Sequence, residues 1–345
     1  MRASTTTVCT YSLDTRSPNI RMQVSSTESV LEGLRLTIVA ELKASGLAVP
    51  MDAESPGKCF DAVLAWHRLH HRAIPRKPRT VCQSRHLSER ALDISTEKRL
   101  ALVRSEVQQG AELSGRLTRQ FFKTGFNDFL FNNFGIQHLH LGISGEGRDA
   151  TKRHSMAAGT EDLLFVIVLD AEVHFIDVVD HSAFSSPAKI KSLIQIVSRE
   201  RPELLAAAVP PGVVSAKQSF EDAYELAKSG FSTVYELDGI CYLTGGTVLD
   251  GLHRNGRRAP CTSVEVVDRT NRSLNMVVSL VEHVQENAEA LIEAAFPSHQ
   301  ERPSRLALEV VEVGSMVRLI DRCTGLEFAH NGATFYIRSE SPPGS

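Results

Sequence analysis

The chain has 345 residues, enough for about two or three domains with separate cores, and its 42% hydrophobic and 23% charged residues are ordinary for a globular protein. Its 38 Lys and Arg against 41 Asp and Glu leave a formal charge of −3, too small to name a partner because local clusters can differ sharply from the total. The six cysteines are far apart and form no C-x-x-C pair, which argues against a structural zinc site and a disulfide scaffold; with neither an apolar signal core nor a run of membrane-span length, the chain reads as a soluble cytoplasmic protein with no membrane partner.

Residues 1–26, rich in Ser and Thr without periodicity, read as a disordered arm. A helix is expected over 27–45 from the stripe Leu31, Leu34, Ile38 and Leu42, a second over 57–71, and a third from Thr96 past Leu113. Between the second and third lies "RAIPRKPRTVCQSRHLSER", whose prolines break any helix. From Trp66 to Arg104 there are ten Lys and Arg against three Asp and Glu, making this the most basic part of the chain. Residues 27–115 are therefore expected to form a helical basic region, with His67, His70 and His71 on a solvated, phosphate-facing surface rather than around a metal.

A short helix in "TGFNDFLFNNFG" precedes the strand "IQHLHLG", and "DLLFVIVLDAEVHFIDVVDH" reads as two strands of an antiparallel hairpin. Ser185 or Ser186 then caps a helix carrying Ile190, Leu193, Ile194 and Val197. Residues 116–209 form the expected α+β core. After a linker at Pro210-Pro211-Gly212, residues 213–338 are expected to make a C-terminal α+β domain: a helix at 220–229, a hairpin in "FSTVYELDGICYLTGG", a long amphipathic helix over 273–295 and a final pair of strands. Residues 339–345 read as a disordered tail. The fold class is α+β: a helical N-terminal region, a small antiparallel-sheet core with flanking helices, and a second α+β domain.

Strand alternation puts His138 and His140 on one face, and Phe175, Asp177, Val179 and His181 on one face of the later strand, with His174 opposite. These histidines can be hydrogen-bonded structural residues. They also suit RNA cleavage by the RNA's own 2′-hydroxyl, which needs a base, an acid and a cation for the phosphate and no cofactor. His138 or His140 with His181, and Arg148, Lys152 or Arg153 from the loop between strands, supply that set. Arg76, Lys77 and Arg79 in the basic segment are expected to contact substrate phosphates.

The segment "DLLFVIVLDAEVHFIDVVDHSAF" resembles the last two strands of the barnase-like and RelE-like ribonucleases, a fold shared by many bacterial RNA-cleaving toxins. The likeness covers about residues 135–184. It implies a toxin-like endoribonuclease in which Asp180, His181 and Phe184 correspond in kind to a strand-end Asp-His with an aromatic behind it, and His181 is the general acid. Phe184 is displaced from the family position, a helix follows the closing strand, and no glutamate occupies the general-base position, so His138 or His140 would replace it. An inhibitory partner, or antitoxin, is implied as well. Two other readings stand beside it: a Zn- or Mn-dependent hydrolase or phosphodiesterase built on His-x-His with Asp177 and His181, and a non-catalytic nucleic-acid-binding protein.

Overall fold

The computed structural model describes residues 22–45, 49, 51–118, 120, 128–142, 161–209, 212, 218–228, 231, 233–244, 247–249, 261–297, 302–314 and 316–338. Within them the elements run β1 (Gln23–Val24), α1 (Thr27–Ala44), α2 (Met51–Glu54), α3 (Cys59–Arg72), β2 (Thr80–Gln83), α4 (Arg85–Glu89), α5 (Ile94–Gln109), α6 (Phe129–Phe134), β3 (Ile136–His140), β4 (Asp162–Val168), β5 (Glu172–Asp180), α7 (Pro187–Glu200) and α8 (Phe220–Lys228). They continue as β6 (Thr233–Leu237), β7 (Ile240–Thr244), β8 (Thr247–Leu249), β9 (Cys261–Ser263), α9 (Val264–Ala295), β10 (Arg305–Leu306), β11 (Leu308–Val313), β12 (Val317–Asp321), β13 (Glu327–His330) and β14 (Phe335–Arg338). This is an α+β fold. No helix among the described residues is long and apolar enough to cross a membrane.

The helices start where a side chain accepts an otherwise orphaned backbone N–H. Ser26 caps α1 by accepting from Ser29, Asp93 caps α5 by accepting from Ser95 and Thr96, and Asp128 caps α6 by accepting from Phe131. Gly110 ends α5 at φ 69°, and a Cβ placed there would lie 2.6 Å from the Pro78 nitrogen. That position needs glycine for both conformation and space.

The chain divides into two compact units. One takes in the described residues of 1–45, 49–67 and 268–345; the other takes in the described residues of 68–267. The expected grouping of 27–115 as one helical region is not how these units form, because β2 and α5 are built into the core of the second unit. In the first unit, β11 to β14 make a four-stranded antiparallel meander where a pair of strands is expected from sequence, and Val310/Glu312 mark a bulge in it.

The second unit holds the candidate site. Its sheet has the order β2-β5-β4-β3, with β2 parallel to β5 and the other pairs antiparallel. One face packs Leu139, Leu141, Leu164 and Val166 against Leu100, Val103 and Val107 of α5. The other packs Ile136, Leu163, Phe165 and Ile167 against Ile190, Leu193, Ile194 and Val197 of α7. Phe220, Tyr224, Tyr235 and Tyr242 of α8, β6 and β7 belong to that same α7-side core, so a new domain does not begin at 213. The β6–β7 turn uses Asp238 and Gly239, both at positive φ, as a two-residue hairpin requires. Asp238 then accepts from Gln195 and Arg199, which ties the hairpin to α7.

The later strand departs from strict alternation. Phe165 pairs with Asp177 and Val166 with Phe175, leaving Ile176 as the extra residue of a bulge. Phe175 therefore packs on the α5 side, while Val179 packs on the α7 side. The shared face expected for Phe175 and Val179 is corrected by that single inserted residue, since one slip exchanges the faces.

Candidate active site

Strand β3 lies at the edge of the sheet, where His138 pairs with Phe165 and His140 with Leu163. Alternation places both imidazoles on the α7 side, beside Ile136. His138 is 6% exposed and His140 half-buried. Strand β5 ends at Asp180, and His181 begins a 3-10 turn, His181–Ser185, that crosses the end of this face. Ala183 in that turn joins the α7-side core, and Tyr224 donates to the Phe184 carbonyl at 3.2 Å. The turn is thereby held over β3.

The result is a row of three imidazoles. Ring centroids are 6.2 Å apart for His138 and His140, and 5.4 Å apart for His140 and His181. Phe184 lies edge-on to His138 at 4.7 Å. His181 is exposed, and its Nδ1 lies 3.0 Å from the Glu161 carbonyl oxygen. A carbonyl only accepts, so Nδ1 carries a proton and donates, which leaves Nε2 as the ring nitrogen outside that bond. At the other end of the row, His138 Nδ1 stands 3.5 Å from Asp128 Oδ2. Asp128 is held in place because its Oδ1 accepts from Phe131 N.

His140 is also fixed through its backbone. Arg116, 1% exposed, donates from Nη1 to the carbonyls of His140 (3.0 Å) and Gly142 (2.7 Å). Its other nitrogens grip both carboxylate oxygens of Glu106 on α5. Beside His181, Asp180 accepts from Lys189 at 2.7 Å and from Ser182 N at 2.8 Å. Those bonds hold its carboxyl well below the usual carboxylate range.

The structure thus brings His138, His140 and His181 together. Arg148, Lys152 and Arg153 lie outside the described residues. Lys77 pairs with Asp170 at 2.5 Å and Arg76 with Glu112 at 2.6 Å. Arg79 is 7% exposed and donates to the carbonyls of Leu169, Pro75 and Lys77. As a buried clamp on three carbonyls, Arg79 does not present its guanidinium to a substrate. The Lys77 and Arg79 contacts are at the β4–β5 connection, whereas His140 faces the first residues of β4. The seven-residue strand between them spans about 20 Å, so Lys77 and Arg79 are not part of the histidine site.

Nor is the segment a free cationic stripe. Arg85 pairs with Glu89, Arg90 with Asp177, and Arg104 donates to Gln83. His174 lies elsewhere on β5, 2% exposed, with neither ring nitrogen hydrogen-bonded, and burial pushes its pKa down. Among the described residues no three His, Cys, Asp or Glu side chains are grouped so as to hold a metal ion.

Sequence reading missed Asp128, Glu161 and Arg116. Asp128 had a signal, an acidic residue directly before the helical run "FLFNNF", which is an N-cap pattern. Glu161 acts through its backbone carbonyl, which carries no residue-type signal, and the Arg116 guanidinium reaches carbonyls 24 and 26 residues along the chain, a pairing that local sequence does not encode. Comparison with family models, with curated proteins and with solved structures finds no match.

Proposed function

We propose that the chain is a toxin-like, metal-independent endoribonuclease acting in the cytoplasm, with RNA as substrate and an inhibitory partner to restrain it. His140 takes the proton of a ribose 2′-hydroxyl as that oxygen bonds to phosphorus. His181 gives the proton on Nε2 to the departing 5′-oxygen as the P–O5′ bond breaks. The products are a 2′,3′-cyclic phosphate and a 5′-hydroxyl. Arg148, Lys152 and Arg153 are the cations assigned to the charge on the non-bridging oxygens. The observation that carries the reading is the 5.4 Å spacing of the His140 and His181 rings at the exposed end of the sheet. The carbonyl bond that fixes the His181 tautomer supports it.

The test is incubation of the full chain with a labelled RNA in excess chelator. Cleavage leaving cyclic-phosphate ends is expected, with a loss of about 10²–10⁴-fold in His181→Ala. Cleavage that stops in chelator and returns with Zn or Mn alone would favour the metal-dependent hydrolase. RNA binding without cleavage, unchanged in His181→Ala, would favour a binding protein.

A further inference from the structure

Gln137 directly precedes His138 on β3, on the opposite face of the strand from the two histidines, and is 7% exposed. Its Nε2 donates to the Arg72 carbonyl at 3.0 Å, which fixes the amide orientation, because a carbonyl cannot receive Oε1. Its Oε1 is buried with no hydrogen-bond partner in the structure. A buried acceptor left in that state is destabilising unless something donates to it.

Gln137 lines a small cleft at the outer edge of β3, together with Asp128, His138, Phe131 and Thr118. The interior volume is about 20 Å³, and roughly 10–15 Å³ is enough for one water-sized group. What enters must therefore be small at its tip. It must also donate, because the Gln137 amide oxygen and the Asp128 carboxylate both accept. The guanidinium of Arg72 on the same wall disfavours a full positive charge there. A neutral amino group meets all three conditions. Phe131 on the wall supplies an aromatic surface for the planar ring that carries it. His138 lines the cleft and also begins the row of imidazoles, so the cleft adjoins the end of the row opposite His181.

We infer that this cleft is a base-reading pocket, in which Gln137 Oε1 and Asp128 accept from the exocyclic amino group of a nucleobase beside the scissile phosphate. The inference rests on the ribonuclease reading and deepens it by naming a preference. Cytosine is admitted and uracil is not, since uracil puts a carbonyl oxygen where cytosine has its amino group, against two acceptors. A site built to pair a hydrogen-bonding group discriminates strongly against the analogue that lacks it.

The experiment compares cleavage and binding of ten-residue oligocytidylate and oligouridylate by the full chain. Binding is read by fluorescence anisotropy. A kcat/KM at least tenfold higher for the cytidine oligomer is expected. In Gln137→Met the ratio should fall close to one, through loss on the cytidine oligomer. Gln137→Glu keeps an acceptor and should retain part of the preference. Equal cleavage of both oligomers by the unaltered chain overturns the inference and leaves the nuclease reading standing. Tighter binding of the cytidine oligomer without cleavage of either supports the pocket and overturns the nuclease reading. A preference that survives in Gln137→Met, or no binding of either oligomer, overturns the pocket, and the cleft then holds a bridging water only.

Discussion

Replacing Arg116 with alanine tests whether the position of His140 depends on a buried charge. The guanidinium is 1% exposed and meets Glu106 through two nitrogens, and it also donates to the carbonyls of His140 and Gly142. Removing it strands a carboxylate and two carbonyl oxygens at once. Breaking one partner of a buried ion pair costs about 3–5 kcal/mol, and the Glu106 side chain, 23% exposed, can recover part of its hydration, so the lower end applies. For a unit of roughly 200 residues each kcal/mol shifts Tm by about 2–4 °C, so a fall of roughly 6–12 °C is expected. Urea unfolding followed by circular dichroism gives the free energy, and calorimetry gives the temperature. A double change, Arg116→Leu with Glu106→Leu, should cost less than Arg116→Ala alone, because no charge is left unpaired. Below the melting transition, RNA cleavage by Arg116→Ala should still be reduced, since the His140 backbone has lost its anchor. A destabilisation under about 1 kcal/mol, the size of an exposed ion pair, would refute the reasoning.

His174 is buried without a ring partner and its folded pKa is depressed, chiefly by burial and then by Arg201, against the opposing pull of Glu200, Glu172 and Glu203. Stability tied to its neutral form is present above the ordinary histidine value of about 6.5 and is lost as pH falls through the folded value. Urea midpoints at mildly alkaline and mildly acidic pH should therefore differ less in His174→Leu than in the unaltered chain, and an equal difference would count against it. Gly110→Ala should lower the unfolding free energy by more than about 1 kcal/mol, because the position has φ 69° and a Cβ there meets Pro78; a neutral result by chemical denaturation would contradict the geometry. The double variant Arg76→Ala with Lys77→Ala should leave the salt dependence of RNA binding unchanged, since both cations are already paired and Lys77 is held at the β4–β5 connection; a shallower slope would return them to the interface.

Local periodicity carried much of the fold. The stripe of α1, the capped start of α7 and the β4–β5 hairpin were legible because each is encoded by neighbours in sequence. Strand β2 was not, because "TVCQ" is short, lies between prolines and a basic run, and becomes a strand only by pairing in parallel with Glu172 to Phe175. The bulge at Ile176 was equally hidden, since β5 carries apolar residues on both faces, Val173, Phe175 and Val178 on one and Ile176 and Val179 on the other, and so gives no clear phase. The unit boundary was missed for a related reason: Tyr235 and Tyr242 look like the start of a new domain in sequence, yet they complete the core beneath α7. In the site, the His-x-His spacing placed two imidazoles on one face, and the strand-end position of His181 marked the third. The partners of those rings, Asp128 and the carbonyl of Glu161, come from other elements.

If His140 is the base and His181 the acid in RNA cleavage, the pH dependence of the reaction separates their roles. With a labelled RNA in excess chelator, a bell-shaped kcat/KM profile is expected. His140→Ala should lose the acidic limb, where the base must be deprotonated, and His181→Ala the alkaline limb, where the acid must be protonated. A profile whose two limbs persist unchanged in both variants, or cleavage that neither substitution reduces, would contradict that assignment.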